Sequence, residues 1–356
     1  SGLPNSVPAV GMRIRRLFNK HKTPLIVFMV IAILPLTVFG IFELRQYAKD
    51  NSTCDKDCNV LLISIDSVSA DHLSAYGYYR QTSPNFDKLA KQGTLFKNYF
   101  SASYLTPTSE AAVHTGLYPT SNGITNFDVT LPENRTTLAQ YMQKLGYRTQ
   151  AISSSPEFDA WPALKESFIR GYDDFQNPNS VKYATLASSR QYPRIEQVTK
   201  ALGPDIKNNK PGFLWLPLGG VHWPFGVNSS KVWTKLDYDG TLSKSDLTVQ
   251  LFMNIYDGYA YPSTTQKIKL TDEDKQYVID NYDDGIRAFD NYLGQIISYL
   301  KKSKLDKKTI IIIQSEHGEA MGENGYYAHY DVQDNQTHVP LLIVDPRIKG
   351  GKQVSP

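Results

Sequence analysis

The segment NVLLISID, residues 59–66, is an almost continuous apolar run that ends on a carboxylate. Such a run is typical of a strand buried on both faces of a parallel sheet. Segments with helical spacing separate it from further short apolar runs, which are TLFKNYFS (94–101), YRTQAIS (147–153), GFLWLPL (212–218), TIIIIQS (309–315) and VPLLIV (339–344). This alternation predicts an α/β fold with a doubly wound, largely parallel sheet flanked by helices. Residues 176–210 and 226–270 lack clear periodicity, and we expect them to be excursions around a site.

The composition is that of a globular protein with a large core. The chain has 356 residues, 41% of them hydrophobic, and a formal net charge of +3. Five of the basic residues lie in the acid-free run MRIRRLFNKHK (12–22), and outside that run acids slightly outnumber bases. Because the remainder is not a polycation, we expect no nucleic-acid partner.

Residues 23–42, TPLIVFMVIAILPLTVFGIF, carry no charge over their whole length. As a helix, this segment is long enough to cross a hydrocarbon core of about 30 Å. The basic run before it predicts a cytoplasmic N-terminus, so we expect a single-pass transmembrane signal anchor in the inner (plasma) membrane. A cleaved signal peptide and a buried core helix are the alternatives.

This interpretation divides the chain at the membrane. Residues 1–22 are a leader and a basic cytoplasmic flank, residues 43–58 are a linker, and residues 59–356 form one domain in the periplasmic or extracellular space. The only two cysteines, Cys54 and Cys58, lie in the linker. In an oxidising compartment they either close a small disulfide loop or stay unpaired, and a metal site there lacks further ligands.

Polar side chains directly follow two of the predicted strands. Asp66 ends the first strand, and Glu316 and His317 follow TIIIIQS. Ligands of doubly wound sheets bind at the carboxyl ends of the strands, so we expect these side chains to converge. Carboxylates and a neutral imidazole are ligands for a divalent cation. Each residue taken alone also fits a helix cap or a solvated loop position.

Several segments, in order, resemble a known family. They are NVLLISIDSVSADHLSAYGY, TSPNFDKLAKQGTLFKNYF, a segment closing on TGLYP, QYMQKLGYRTQAIS, GGVHWPF (219–225) and SEHGEAMGENGYYAHYDVQDNQTHVPLLIVDP (315–346). Together they resemble the sulfatase-like members of the alkaline phosphatase superfamily. Within it, the motifs are most similar to the threonine-nucleophile phosphoethanolamine transferases and to lipoteichoic acid synthase. The resemblance implies an alkaline phosphatase/sulfatase-like catalytic domain over 59–356 that lacks the smaller C-terminal subdomain.

The resemblance implies a nucleophile ten residues before Gly116, which is Thr106. True sulfatases hold a Cys or Ser there that is matured to formylglycine within a C-x-P-S-R motif. Here the stretch is TPTSE, and a threonine cannot form formylglycine. A dication lowers the pKa of a coordinated hydroxyl and aims it at phosphorus, which favours a phosphothreonine intermediate. Thr108 and Ser109 are the rival hydroxyls, and a helix-capping role for Thr106 is compatible with this chemistry.

The metal ligands implied by the resemblance are Asp66, Thr106, Glu316 and His317. The family usually has Asp where this chain has Glu316, whose side chain is one methylene longer. For this donor set, zinc or manganese is the expected cofactor, with calcium or magnesium as the alternatives.

Further histidines fit a phosphate pocket in the same register. His222 follows GFLWLPL, and His329 stands where the transferase relatives place a pocket histidine. Each is a candidate to bind a substrate oxygen, to ligate a second metal or to protonate the leaving group. His338, in QTHVP, is a candidate substrate-binding residue. We expect His72 and His114 to be structural.

Three functional hypotheses follow. The first is a membrane-anchored, metal-dependent hydrolase or transferase that acts on a phosphate-containing ester, of a lipid or a glycan, through a covalent intermediate on Thr106. The second is a sulfatase of the same fold that cleaves a sulfate ester. The third is a catalytically inactive envelope module. The residues leave the substrate, the acceptor and the oligomeric state open.

Overall fold

The computed structural model describes residues 54, 57–177, 192–203, 210–222, 225, 231–240, 242, 270–323 and 327–355. All of them belong to one unit, Thr53–Pro356. Within these ranges no helix is long and apolar enough to cross a bilayer. The predicted leader and basic flank (1–22) and the predicted anchor (23–42) lie outside the described residues.

The strands of the described residues form one large sheet and one small one. They are β1 (Asn59–Ile65), β2 (Thr94–Phe96), β3 (Arg148–Ile152), β4 (Asp174–Gln176), β5 (Gly212–Leu218), β6 (Thr309–Ser315), β7 (Ala320–Met321), β8 (Tyr327–Ala328), β9 (Leu341–Val344) and β10 (Lys352–Val354). The large sheet has the order β10-β2-β9-β6-β1-β5-β3-β4, and β7 pairs with β8 separately. The central strand β1 is parallel to both of its neighbours, β5 and β6.

The prediction of a largely parallel sheet is confirmed. Among the described strands of the large sheet, β9 is the one that runs against the others, since it pairs antiparallel with both β2 and β6. The apolar runs predicted β5 and β6 with their observed bounds. The run 94–101 forms a strand over its first three residues only.

Helices flank the sheet, as predicted. They are α1 (Pro84–Ala90), α2 (Thr106–Thr115), α3 (Pro119–Asn122), α4 (Leu138–Lys144), α5 (Glu157–Ala160), α6 (Pro162–Phe168), α7 (Ile195–Leu202), α8 (Asp272–Lys302) and α9 (Asp334–Thr337), with 3₁₀ turns at Ala70–His72, Ser74–Tyr76 and Asp306–Lys308. Helix α7 lies within the stretch 176–210 that we expected to be irregular, which corrects that expectation. Its eight residues are too short a window for the apolar period to stand out.

The two faces of the sheet carry separate hydrophobic cores. Leu61, Ile63 and Ile65 of β1 point to one face, where they join apolar residues of α1, α7 and α8. Leu62 points to the other, where it joins Trp215 of β5 and residues of α2, α4 and α6. Because side chains alternate along a strand, an apolar strand needs partners on both faces. Each such side chain, fully buried, contributes about 1.5–3 kcal/mol.

Helix α8 fixes the backbone that follows β1. The helix begins after Thr271, whose hydroxyl accepts a hydrogen bond from the amide of Asp274 in a capping box. Two to three turns further along the helix, the fully buried Tyr282 hydroxyl donates to the Ser67 carbonyl at 2.7 Å and accepts from the Ser69 amide at 2.9 Å. Ser67 has a φ of 64°, a left-handed conformation that non-glycine residues seldom adopt. The turn after Asp66 is therefore held by tertiary contacts.

The linker cysteines are paired. Cys54 and Cys58 form a disulfide with a Cα–Cα distance of 5.1 Å, which selects the first of the two alternatives for them. The Cys54 amide also donates to the Lys307 carbonyl at 3.0 Å. The chain that enters β1 is thus attached beside the start of β6.

Candidate metal centre and active site

Adjacent strand ends deliver the predicted ligands to one place. The Asp66 amide donates to the Leu218 carbonyl of β5 at 3.0 Å, and the Glu316 amide donates to the Ile65 carbonyl of β1 at 3.1 Å. Asp66, Glu316 and His317 are all buried. The parallel ladder that joins β5, β1 and β6 therefore sets the positions from which these side chains start.

Asp66, Glu316 and His317 form a compact ligand cluster. Each offers one ligand atom, and these atoms lie within 4.8 Å of one another. The His317 Nε2 atom is 3.4 Å from an Asp66 carboxylate oxygen and 3.2 Å from the Thr106 hydroxyl. The structure therefore brings together all four residues that we predicted as metal ligands.

Thr106 is the first residue of α2 and is buried. Its side chain faces the cluster from the N-terminal end of a ten-residue helix, where the helix dipole favours negative charge. Neither rival hydroxyl bonds to His317: Ser109 donates to the Glu316 carbonyl, and no described residue bonds to the Thr108 hydroxyl. Of the three hydroxyls, Thr106 is the one that contacts His317.

The tautomer of His317 is set by its second ring nitrogen. The Nδ1 atom lies 3.0 Å from the Gly318 carbonyl, which accepts hydrogen bonds only. Nδ1 therefore carries the hydrogen, and the lone pair of Nε2 points toward Asp66 and Thr106. A metal-ligating histidine usually has this arrangement, with its outer nitrogen bonded to a carbonyl or carboxylate.

The electrostatics of the cluster fit a bound dication. The pKa of His317 is lowered to about 3 by burial, by the neighbouring His329 and, to a smaller extent, by His222. The imidazole is therefore neutral, and its free nitrogen can bind a metal ion. Burial and the charges of Asp66, Glu110 and Glu157 raise the pKa of Glu316 well above its ordinary value. The Glu316 Oε2 atom is buried without a hydrogen-bond partner among the described residues. Buried carboxylates beside a neutral imidazole are stabilised by a cation, which supplies the missing charge.

Two further histidines border the cluster, one stacked on His317 and one packed edge-on. The His329 ring stacks on His317 with ring centroids 4.1 Å apart, and the His222 ring lies 5.0 Å from that of His329. His329 Nδ1 is 3.0 Å from a carboxylate oxygen of the buried Glu319. Burial opposes the charged form of His329, but the charge of Glu319 and the hydrogen bond to it prevail and raise the pKa. His222 and His329 thus lie beside the ligand cluster, and their roles toward a substrate stay predictions.

Two acidic residues of the site were missed by the sequence analysis. Glu157 is buried at the start of α5, and its carboxylate lies within 4.8 Å of ligand atoms of Asp66 and His222. Glu157 could have been found from its place just after β3, because the strand ends there lie at the same edge of the sheet as Asp66. Glu319 lies in His-Gly-Glu after β6, and only the fold shows that it contacts His329.

Other predicted histidines lie in different surroundings. His338 Nε2 is 2.7 Å from the Lys97 carbonyl, and the ring stacks on Phe100 with centroids 5.1 Å apart. None of the contacts described for that ring reaches the ligand cluster, so its role in substrate binding stays a prediction. His72 bonds to Asp283 at 2.8 Å, and His114 packs on Trp215, as expected of structural residues.

Comparison with known proteins identifies the family. A family model described as Sulfatase matches residues 58–356. A sulfatase from Formosa agariphila is 27% identical over 338 aligned residues, which cover 83% of this chain and 66% of the relative. The chain thus spans about two thirds of the length of the curated relatives that it matches.

Solved structures share the fold at lower identity. A phosphonate monoester hydrolase of Agrobacterium radiobacter has a TM-score of 0.60 and 22% identity, over 84% of this chain and 70% of that one. The C-terminal periplasmic domain of EptC from Escherichia coli has a TM-score of 0.59 and 18% identity, over 82% and 73%, and has also been solved in complex with Zn. The resemblance to sulfatase-like proteins is confirmed: the protein belongs to the sulfatase family.

Proposed function

We propose that this sulfatase-family protein is a metal-dependent hydrolase or transferase that acts on a phosphate-containing ester through a covalent intermediate on Thr106. The contact that carries the proposal is the one between the Thr106 hydroxyl and His317 Nε2, at 3.2 Å in a buried cluster with Asp66 and Glu316. This contact supports the assignment of Thr106 as the nucleophile.

The residues present fit a divalent ion held by Asp66, Glu316, His317 and the Thr106 hydroxyl. When bound, such an ion supplies Lewis-acid stabilisation of negative charge and lowers the pKa of a nearby hydroxyl. The donor set of two carboxylates, an imidazole and an alcohol suits zinc or manganese. The zinc complex of the EptC domain supports this choice.

In the first step, the Thr106 oxygen forms a bond to phosphorus while the bond from phosphorus to the leaving oxygen breaks. The threonine proton passes to water. His329 keeps its proton to higher pH than an ordinary histidine because of Glu319, so it serves as the acid that protonates the leaving oxygen. In the second step, water or an acceptor alcohol attacks phosphorus and gives its proton to the now neutral His329. The bond from phosphorus to the Thr106 oxygen breaks, and that oxygen takes a proton from water.

A sulfate ester is the second candidate substrate. The family model and the Formosa agariphila relative support it, and an N-acetylglucosamine-6-O-sulfatase from Bacteroides thetaiotaomicron is 22% identical over 91% of this chain. A glycan sulfate is thus a reasonable class of test substrate. Thr106 argues for phosphorus, because formylglycine, the nucleophile of true sulfatases, cannot form from threonine.

The decisive experiment compares substrates and searches for the adduct. The metal-loaded protein is assayed on an aryl phosphate, an aryl phosphodiester and an aryl sulfate, and its intact mass is measured after each incubation. We expect turnover of a phosphorus substrate and a mass increase that peptide mapping places on Thr106. Turnover of the sulfate ester alone would instead support the sulfatase.

Variants at Thr106 separate a nucleophile from a structural residue. Thr106→Ala should remove both the adduct and turnover, while Thr106→Ser should keep part of each. Absence of turnover and adduct with every substrate, in protein that binds zinc or manganese, would favour an inactive envelope module. We place the reaction on the extracytoplasmic side of the inner membrane, a proposal supported by the sequence of residues 12–42.

A further inference from the structure

The turn that follows β1 joins the predicted ligand Asp66 to a residue in an unfavourable conformation. Ser67, the next residue, is fully buried and has a φ of 64°. A non-glycine residue keeps a left-handed backbone only where the surrounding structure holds it there. The direction of the Asp66 side chain therefore depends on the contacts that hold the backbone just after it.

Two buried hydroxyl groups hold the peptide group between Ser67 and Val68 from opposite ends. The Tyr282 hydroxyl donates to the Ser67 carbonyl at 2.7 Å, and the Val68 amide donates to the Ser315 hydroxyl at 2.9 Å. Tyr282 and Ser315 are both fully inaccessible to solvent. Because bulk water does not reach either hydroxyl, removing one would leave a buried backbone group unsatisfied.

Ser315 also connects this turn to the end of the neighbouring strand. It is the last residue of β6, directly before Glu316. Its hydroxyl lies 2.7 Å from the Ile65 carbonyl and 2.8 Å from the His317 carbonyl, and both are acceptors. One side chain thus contacts the backbone of β1 just before Asp66 and the backbone of a second ligand.

We propose that Tyr282 and Ser315 are positioning residues of the metal centre: they hold the peptide group after Ser67 and so aim the Asp66 carboxylate at the ion. The inference deepens the proposed function and rests on its metal site. Each hydroxyl acts on backbone groups, and neither is assigned to the ion or to the substrate. Outer partners that orient metal ligands change metal affinity by about 10–100-fold when they are removed.

Metal titration of the full chain tests the role of Tyr282 without any assay of turnover. Protein freed of metal is titrated with Mn²⁺, and the free ion is measured by electron paramagnetic resonance. Tyr282→Phe removes one hydroxyl and keeps the ring, and it should raise the Kd for Mn²⁺ by about tenfold. The matched control is Tyr292→Phe, because Tyr292 is a buried tyrosine of the same helix whose hydroxyl donates to the Pro193 carbonyl at 2.8 Å. It should keep the wild-type Kd.

A second pair of variants tests Ser315 in the same way. Ser315→Ala should also raise the Kd for Mn²⁺ by about tenfold. Its control is Ser64→Ala, at a fully buried serine of β1. The Ser64 hydroxyl accepts from the Trp215 indole at 3.0 Å and from the Gln314 side-chain amide at 2.8 Å, so it bonds to side chains and not to the turn. Ser64→Ala should bind Mn²⁺ as the wild type does.

Thermal unfolding in the presence of a chelator separates positioning from stability. All four variants lose a buried hydrogen bond, so all four should unfold at a lower temperature than the wild type. Only Tyr282→Phe and Ser315→Ala should also lose affinity for Mn²⁺. The wild-type Kd in both of these variants, or an equal rise of Kd in the controls, would overturn the inference. If Tyr282→Phe does not fold, the comparison of Ser315→Ala with Ser64→Ala decides.

This inference and the proposed reaction fail in distinguishable ways. An adduct on Thr106 in the wild type, together with unchanged Mn²⁺ affinity in Tyr282→Phe and Ser315→Ala, would refute the positioning role only. Weakened Mn²⁺ binding in these two variants, with no adduct on Thr106 in the wild type, would refute the reaction only. A wild type that binds no Mn²⁺ would refute both, because there would be no ion at which to aim the Asp66 carboxylate.

Discussion

Glu316 should make the stability of the metal-free protein depend on pH. Burial and the charges of Asp66, Glu110 and Glu157 raise its pKa in the folded chain well above the ordinary value of 4.5, and unfolding removes these influences. Between the unfolded and folded pKa values, the folded state binds one more proton. The free energy of unfolding therefore falls as pH rises. The stabilisation that comes from the neutral Glu316 carboxyl group is complete below pH 4.5 and is lost as pH rises through the folded-state pKa.

The size of the effect follows from the number of protons. One proton of difference changes the free energy of unfolding by about 1.4 kcal/mol per pH unit within that interval. A typical domain is stabilised by only ~5–15 kcal/mol, so a slope of this size is measurable. Glu316→Gln keeps the shape and removes the titration, so the variant should lose this slope. Saturating zinc should also remove it from the wild type, because the ion holds the carboxylate ionised.

The measurement is urea unfolding, followed by tryptophan fluorescence, in the presence of a chelator at several values between about pH 5 and about pH 7. Wild type and Glu316→Gln are compared, with Glu166→Gln as the control for a change of glutamate to glutamine at an exposed site. As pH rises, the free energy of unfolding of the wild type should fall relative to that of Glu316→Gln. Parallel profiles over the whole range would refute the reasoning, since they would show that folding does not change the titration of Glu316.

Three further predictions concern the nucleophile, the acid and the linker. Thr106→Ala should lower kcat by about 10³-fold or more, with Thr106→Ser in between, as measured by steady-state kinetics; near-normal turnover by the alanine variant would exclude the nucleophile. Glu319→Gln should lower the pKa of His329, because burial then acts without the opposing charge, so the basic limb of the kcat/KM profile should move to lower pH. An unmoved limb would exclude His329 as the acid. Replacing Cys54 and Cys58 with serine should cost about 2 kcal/mol at most in thermal unfolding, because the closed loop is short. A much larger loss would mean that the disulfide supports more than the linker.

The centre of the fold could be predicted from the sequence because its strands are buried on both faces. Continuous apolar runs located β1, β5 and β6, and the rule for strand ends brought Asp66, Glu316 and His317 together. The antiparallel direction of β9 could not be predicted from the sequence, because an apolar run is compatible with either strand direction. Helix α7 was missed because eight residues carry too little periodic signal.

The site was predictable where residues stand in recognisable motifs, and less so elsewhere. Thr106 was found by its distance from Gly116, and the structure places it against His317. Glu157 follows three serines and a proline, so no catalytic motif marks it, and its place after β3 was the signal available. The contact between Glu319 and His329 depends on the path of the chain between them, and a sequence pattern does not specify that path.

The ladder of β5, β1 and β6 has a consequence for the choice of metal. Asp66 and His317 follow adjacent hydrogen-bonded strands, and both are almost completely inaccessible to solvent, so their backbones have little room to adjust to ions of different radius. Adaptation to ion size then falls to side-chain torsions, and Glu316 has one more rotatable bond than an aspartate at the same position would have. We expect this centre to tolerate exchange between small and large dications better than an aspartate centre, with the difference located in the rotamer of a single glutamate.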